Sequence, residues 1–196
     1  MARAATWCTD ALHAEGGDWN APIPGLEWTV RQAVAHAAEA CLWYAIDLSA
    51  GATELTTVEQ RVKPDGEPAA LVSTLTTCAS MVVSVLRSVP PTQRGYHPFG
   101  VADPSGFAAM ACDELLIHTD DALRGLGHVV APPEDLCALT VRRLFPWVPD
   151  VGDPWVELRW ANGRIDLPDR PSSNMWQWHC APLAEWDGIN PNASSV

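Results

Sequence analysis

The chain has 196 residues, the size of one domain or of a domain with a small appendage. Hydrophobic residues make up 47% and charged residues 18%, so the composition excludes an intrinsically disordered chain. Because 12 Lys and Arg stand against 24 Asp and Glu, the net charge of −12 disfavours partners with anionic surfaces, and we expect neither nucleic acid nor membranes among them.

The N-terminus lacks the apolar core of a signal peptide, and no apolar run approaches the roughly 18 residues of a membrane span, so we expect a cytoplasmic protein. The six cysteines lie far apart and form no Cys-x-x-Cys pair. This spacing indicates neither a zinc knuckle nor a disulfide framework, and it predicts that most of the cysteines are small buried hydrophobic residues.

Apolar periodicity and capping signals predict five helices in residues 1–148. They are expected at about residues 3–15, 30–48, 68–89, 104–125 and 133–145. Thr29 and Gln32 form the pattern of a capping box at the start of the second helix. Asp103 followed by Pro104 is typical of an N-cap with proline in the first helical turn, so it marks the start of the fourth.

Residues 149–196 follow a different pattern, and they are predicted to form a short Trp-rich β appendage and tail. Apolar and polar residues alternate on both sides of Asn162-Gly163, which favours a β-hairpin over residues 155–167. A third strand is predicted at 175–180. The many tryptophans of this region are expected either to bury the hairpin against the helices or to form a wall of a substrate pocket.

Three side chains are candidates for a metal site. Glu114 and His118 are four residues apart on the fourth helix, so they lie on one face and can bind one cation. His36 lies at the edge of the apolar stripe of the second helix. Two His and one carboxylate suit Zn²⁺ or a similar divalent metal and leave a position for water or substrate. A solvated Glu and a hydrogen-bonded His would show the same spacing, so the residues alone leave both interpretations open.

Two motifs in a fixed order carry a resemblance to a known family. Trp28-Thr29-Val30 leading to His36, followed later by Glu114-Leu115-Leu116-Ile117-His118, resembles the mycothiol-dependent maleylpyruvate isomerase N-terminal domain of the DinB-like superfamily. The resemblance covers roughly residues 3–145. It implies a four-helix bundle with a divalent metal, usually zinc, held by the residues here numbered 36, 114 and 118.

The same resemblance implies an activity. Family members of known activity use the metal to bind the sulfur of a low-molecular-weight thiol, typically mycothiol or bacillithiol, for isomerisation or S-transfer. The isomerases also carry a larger C-terminal domain that contributes to their active site, whereas only a short segment follows Pro149 here. We therefore expect a thiol-activating metalloenzyme acting on a small electrophilic metabolite other than maleylpyruvate.

Two alternatives stay open. The metal could act as a Lewis acid in an enzyme that uses no thiol. The chain could also be a non-catalytic binding module, metal-bound or metal-free, that forms a homodimer through its Trp-rich appendage.

Further residues are candidates for supporting roles. Asp121 follows His118 by three residues and is expected to orient its imidazole. Substrate contacts are expected from the loop before the fourth helix and from the Trp-rich region. The candidates are Arg94, Tyr96, His97, Trp178 and His179.

Overall fold

A computed structural model describes residues 1–172 and 176–192 of the chain. Over these residues the α-helices are α1 Ala2–Ala14, α2 Val30–Ala50, α3 Pro68–Ser88, α4 Pro104–Gly125, α5 Glu134–Leu144 and α6 Pro154–Ala161. The first five confirm the helices predicted from the sequence to within a turn at each end.

Helices α1 to α4 form the predicted four-helix bundle, in which α1 and α2 each pack against both α3 and α4. The side-chain oxygen of Gln32 accepts a hydrogen bond from the backbone N–H of Thr29 at 2.8 Å and closes the predicted capping box. Asp103 accepts from the backbone N–H of Gly106 at 2.8 Å, as expected of the N-cap of α4. Helix α5 packs on α4, and α6 packs on α5.

By length and composition alone, one described helix could cross a membrane, and that helix is α3. This finding differs from the expectation that no apolar run approaches the length of a membrane span. Its apolar face is buried in the bundle, where Leu71, Val72 and Leu75 are at most 3% exposed. A core helix of a helical bundle passes the same test of length and composition, so this property does not by itself indicate a membrane segment.

The predicted β-hairpin at 155–167 is wrong, because its first half is the helix α6. Asp153 accepts a hydrogen bond from a backbone N–H of the first turn of α6 at 2.8 Å, so this helix has its own N-cap. Asn162-Gly163 ends the helix, with Gly163 at a φ of 68°. The apparent alternation hid a helical spacing of the buried residues, which are Glu157, Leu158 and Ala161.

The third strand predicted at 175–180 is also not seen. Met175 lies outside the described residues, and residues 176–180 pair with no strand. The two described ranges contain isolated β-bridges, such as Gly95 with Ala102, and no sheet. Trp178 and Cys180 are nevertheless buried, so this stretch packs against the helices in an irregular conformation.

Helix α4 is buried from Gly106 to Leu123, except at Ala108, which is partly exposed. Its buried residues include a band of polar and charged side chains, which is uncommon in a core helix. They are Asp113, Glu114, His118, Thr119, Asp120 and Asp121. Buried charges are costly unless they are paired, so the surrounding elements must supply partners for this band.

Residues after α5 supply several of these partners. Asn162 donates to Asp113 at 2.9 Å, and Arg164 donates to Asp121 at 2.8 Å. We call residues 162–172 and 176–192 the C-terminal segment. Its polar side chains thus neutralise or satisfy part of the acidic band of α4.

One arginine of α5 holds the C-terminal segment against the start of α4. The Arg143 guanidinium donates to Asp103 at 2.7 Å and to the backbone carbonyls of His179 and Cys180 at 3.1 and 3.0 Å. Arg143 is only 9% exposed. Its charge is therefore matched inside the fold by one carboxylate and two carbonyl groups.

The six cysteines are all free and buried, which agrees with the prediction from their spacing. Burial raises the pKa of the Cys8, Cys137 and Cys180 thiols to about 12. These residues are packing groups rather than reactive thiols.

Candidate metal centre

The structure brings His36, Glu114 and His118 together between α2 and α4. His36 Nε2 lies 3.4 Å from Glu114 Oε2, and His118 Nε2 lies 3.1 Å from the same oxygen. The ligand atoms of the three residues all lie within 4.8 Å of one another. The helical spacing on α4 and the packing of α2 against α4 together produce this convergence.

Trp28, immediately before α2, packs against both imidazoles. Its ring centroid lies 4.8 Å from that of His36 and 5.5 Å from that of His118. The two imidazoles meet edge to face, with their centroids 4.8 Å apart. The tryptophan therefore limits the rotation of both histidine side chains and covers one side of the cluster.

The carboxylate of Glu114 has one satisfied and one unsatisfied oxygen. Oε1 accepts a hydrogen bond from the Tyr44 hydroxyl at 2.9 Å. Oε2 is buried and receives no hydrogen bond of acceptable geometry from the described residues, although two imidazole nitrogens face it. A buried carboxylate oxygen between two imidazole nitrogens fits a divalent cation, because the cation would satisfy all three atoms. The donor set is that of zinc and similar metals.

Asp121 lies behind His118 and fixes its ring. His118 Nδ1 and Asp121 Oδ2 are 3.1 Å apart, so the predicted contact is present. Arg164 binds both oxygens of Asp121, with distances of 3.0 Å from Nε to Oδ1 and 2.8 Å from the terminal nitrogen to Oδ2. A carboxylate that holds Nδ1–H leaves Nε2 free to face a metal.

The charges of the cluster depend on the protonation of Glu114 and His118. Burial acts to raise the pKa of Glu114, but contacts with His118 and then His36 outweigh it and hold that pKa well below its ordinary value. Burial acts to lower the pKa of His118, but Asp121 and Glu114 raise it to about 9. Metal-free protein therefore holds a carboxylate beside an imidazolium, and a cation must displace the imidazolium proton in order to bind.

Two cavities adjoin the cluster, and His36 and Glu114 line both of them. The smaller, which we call the tryptophan cavity, has a volume of about 280 Å³. The C-terminal segment forms one of its walls. Besides the cluster, its lining includes Trp28, Asp113, Asn162, Arg164, Trp176 and Trp178.

Asp113 connects the tryptophan cavity to the C-terminal segment. Its two oxygens accept hydrogen bonds from Asn162 at 2.9 Å and from the Trp178 indole at 3.2 Å. Burial, and to a smaller extent the charge of Glu114, raise the pKa of Asp113 to about 7 although the Asn162 hydrogen bond lowers it.

The larger cavity, which we call the acidic cavity, has a volume of about 540 Å³. It lies between α2 and two loops, at residues 54–58 and 96–98. The acidic cavity takes its name from Glu39, Asp47 and Glu54, which line it together with Trp43, Tyr44 and His97.

The predicted substrate-contact residues fall in different places. Tyr96 and His97 line the acidic cavity, and Trp178 lines the tryptophan cavity. Arg94 lines neither, because it pairs with an exposed glutamate of the C-terminal segment at 2.9 Å. His179 also lies outside both cavities, with Nε2 3.3 Å from a backbone carbonyl. Their roles in substrate binding stay predictions.

Sequence reasoning missed several residues of the site. Tyr44 follows His36 by about two helical turns on α2, so helical spacing alone could have placed it near the cluster. The hairpin prediction places Asn162 in a turn and Arg164 in a strand. No local signal pairs either of them with α4, because the contacts cross more than 40 residues of chain.

Comparison with known proteins identifies one family. The family model described as the mycothiol maleylpyruvate isomerase N-terminal domain matches residues 2–123, more than half of the chain. The match includes all three residues of the cluster and Asp121, and it ends before α5. No curated protein and no solved structure matches the chain.

Proposed function

The chain belongs to the mycothiol maleylpyruvate isomerase N-terminal domain family, and we propose that it is a divalent-metal-dependent enzyme. His36, Glu114 and His118 are the proposed ligands, and zinc is the expected metal. The proposed reaction activates a low-molecular-weight, mycothiol-like thiol for S-transfer to a small electrophilic metabolite or for its isomerisation.

The unsatisfied Oε2 of Glu114 is the observation that carries this proposal, because this buried oxygen faces two imidazole nitrogens. The position of the cluster supports a reaction of two molecules. Since His36 and Glu114 line both cavities, a thiol and an electrophile could approach the cluster from different sides.

A divalent metal bound here would lower the pKa of a coordinated thiol and so favour the nucleophilic thiolate at neutral pH. Neighbouring residues of the chain orient the proposed metal ligands. Asp121 holds the His118 ring through Nδ1, and Tyr44 holds Glu114 through Oε1, so both ligand atoms point to the same place. Trp28 excludes water from one side of the imidazoles.

His97 offers a neutral hydrogen-bond donor in the acidic cavity. Burial lowers the pKa of His97 to about 4, although the charge of Glu114 opposes this shift. Its Nδ1 accepts from the backbone N–H of Phe99 at 3.1 Å, so the ring proton is on Nε2. At neutral pH this N–H can donate to a carbonyl or hydroxyl oxygen of a substrate.

Elemental analysis of protein purified without added metal tests the ligand set. We expect one divalent ion per chain in the wild type and none in His36→Ala after the same chelator wash. His13→Ala is the matched control, because His13 is exposed on α1 and belongs neither to the cluster nor to the lining of either cavity. A wild-type protein without metal would refute the metalloenzyme and favour a binding module.

A thermal-shift titration tests the use of a thiol. Millimolar mycothiol should raise the melting temperature of the metal-loaded protein, because a ligand of the folded state stabilises it by mass action. S-methyl mycothiol, which cannot form a thiolate, should have a much smaller effect. Equal shifts with both compounds, or no shift with either, would refute the thiol step and favour a Lewis-acid enzyme.

A further inference from the structure

The acidic cavity contains more negative charge than the proposed thiol chemistry uses. Glu39, Asp47 and Glu54 line it in addition to Glu114, and no Lys or Arg is among its lining residues in the described part of the chain. Glu39 is partly satisfied, because it accepts a hydrogen bond from the backbone N–H of Val62 at 2.9 Å. The charges of Asp47 and Glu54 are therefore not balanced by a Lys or Arg among the described residues that line the cavity.

Asp47 is the most buried of the three carboxylates Glu39, Asp47 and Glu54. It lies in the last turn of α2, is 9% exposed, and its side chain accepts no hydrogen bond from the described residues. Burial and the charge of Glu54 together raise the pKa of Asp47 to about 6. The carboxylate of Asp47 therefore faces the cavity without a hydrogen-bond partner among the described residues, and a cationic ligand in the cavity could pair with it.

Aromatic rings share the cavity with these carboxylates. Trp43, Tyr44 and Tyr96 all line it. The faces of aromatic rings attract organic cations, and the attraction is stronger where water is partly excluded. By contrast, among the described residues His36, Glu114 and His118 form the only group of three His, Cys, Asp or Glu side chains close enough to hold a metal ion. The surroundings of Asp47 therefore favour an organic cation over a second metal.

The position of Asp47 sets the length of the ligand. Asp47 follows His36 by three turns of α2, which corresponds to a rise of about 16 Å. The side chains at these two positions line the same cavity. A molecule that occupies the whole cavity can therefore hold one end near the metal cluster and the other beside Asp47.

We propose that the acidic cavity binds an amine or alkylammonium group of the substrate, held between Asp47, Glu54 and the aromatic rings. The assignment of the opposite end of that substrate to the metal cluster rests on the proposed function. The ammonium site itself does not depend on a metal.

Calorimetric titration with three probes of equal length tests the charge preference. Pentane-1,5-diamine, pentane-1,5-diol and glutarate are titrated into the protein as purified and into chelator-treated protein at neutral pH. We expect the diamine to bind with one molecule per chain in both samples, and the diol and glutarate to show no saturable binding. Saturable binding of the diol with similar affinity, or absence of diamine binding, would overturn the proposal.

Two substitutions test whether diamine binding depends on Asp47 itself or only on the overall negative charge of the protein. Asp47→Asn should weaken diamine binding at least tenfold, because it removes the unpaired carboxylate charge that faces the cavity. Glu59→Gln makes the same charge change in the loop between α2 and α3 but at an exposed residue outside the lining, and it should alter the affinity less than twofold. Equal losses in the two variants would overturn the proposal.

Asp47→Asn should fold, since the amide occupies the same space as the carboxylate and removes one negative charge from the cavity lining. Its melting temperature should equal or exceed that of the wild type, which shows that lost binding is not lost structure. Diamine binding to chelator-treated protein also keeps this result separate from the metal analysis. If the protein held no metal but bound the diamine, only the metalloenzyme proposal would fail, and the reverse result would refute only the ammonium site.

Discussion

Leu115 of α4 and Trp178 of the C-terminal segment are both buried, but different kinds of contact hold them. Leu115 lies in a helix that α1, α2 and α5 all contact, so many apolar neighbours fix its position. Trp178 lies in a stretch without regular secondary structure, where its indole donates to Asp113 and Arg143 holds the next two residues by their carbonyls. The bundle distributes its stability over many apolar contacts between helices, whereas the C-terminal segment depends on a few hydrogen bonds to distant residues.

This difference explains how a short segment can complete the candidate site. Arg164, Asn162 and Trp178 each bond to a buried carboxylate of α4 and also line the tryptophan cavity. The contacts that position the segment are therefore also contacts of the site. Single substitutions should affect the two regions very differently.

The largest effect is expected from Arg143→Ala. This change leaves Asp103 without its buried partner and removes the donors to two carbonyls, so we expect a loss of about 3–5 kcal/mol in the free energy of unfolding. Urea denaturation measures the loss. Limited proteolysis should cut within residues 176–192 faster than in the wild type.

The neighbouring arginine provides the control for this prediction. Arg142 is exposed and lies 3.8 Å from the exposed Asp150, so Arg142→Ala should cost at most about 1 kcal/mol. Similar losses in the two variants would contradict the view that the C-terminal segment depends on Arg143.

The next largest effect is a pH-dependent change in the stability of the metal-free protein. It arises at His118 of the bundle, which contacts Asp121, the residue that Arg164 of the C-terminal segment binds. His118 has a pKa of about 9 in the folded, metal-free protein, against about 6.5 in an unfolded chain. Its protonation therefore stabilises the fold fully below about pH 6.5, and this contribution is lost as the pH rises through 9. We expect metal-free protein to lose roughly 2–3 kcal/mol over this range.

Urea denaturation of chelator-treated protein at a series of pH values measures this loss. Asp121→Asn should make the dependence shallower, because Asp121 is a main cause of the raised pKa of His118. A metal-free wild type with constant stability from pH 6.5 to 9 would contradict the prediction.

A smaller effect is expected from Trp178→Phe. The substitution keeps an aromatic ring but removes the indole N–H that donates to the buried Asp113, so the expected loss is about 1–3 kcal/mol. Trp155→Phe, at a residue of α6 that is not fully buried, should cost less. An equal loss in both variants would show that the tryptophans act only through their apolar area.

The smallest effect is expected in the bundle, from Gln32→Ala. This change removes one side-chain acceptor of the capping box at an exposed position, and we expect a loss of about 0.5–1 kcal/mol by thermal denaturation. Gln32→Glu keeps the acceptor and should be nearly neutral. A loss as large as that of Arg143→Ala would contradict the distributed stability of the bundle.

The helices that could be predicted from the sequence are those whose ends are marked by nearby capping residues. Thr29, Gln32 and Asp103 cap their helices within a few residues of sequence, so α2 and α4 could be located from the sequence alone. Residues 155–160 alternate in the manner of a strand, whereas the N-cap at Asp153 begins a helix there, and the hairpin prediction took no account of that cap. The irregular path of residues 176–180 has no local signal, because distant side chains determine it.

The same distinction applies to the candidate site. The spacing of Glu114 and His118 on one helix is local, and it was predictable. The approach of His36 depends on which helices are neighbours, and the resemblance to a family supplied that information. The exposure of each cavity wall depends on packing of whole elements, so neither the burial of Asp47 nor its lack of a partner was apparent from the sequence.

The buried cysteines have a consequence for a protein that would work among free thiols. Thiol–disulfide exchange needs a thiolate and access to its sulfur. Cys8, Cys137 and Cys180 have pKa values of about 12 and lie inside the fold, so the folded chain offers very little of either. The native protein should therefore resist mixed-disulfide formation with oxidised small thiols, and the cysteines would become vulnerable only when the chain unfolds.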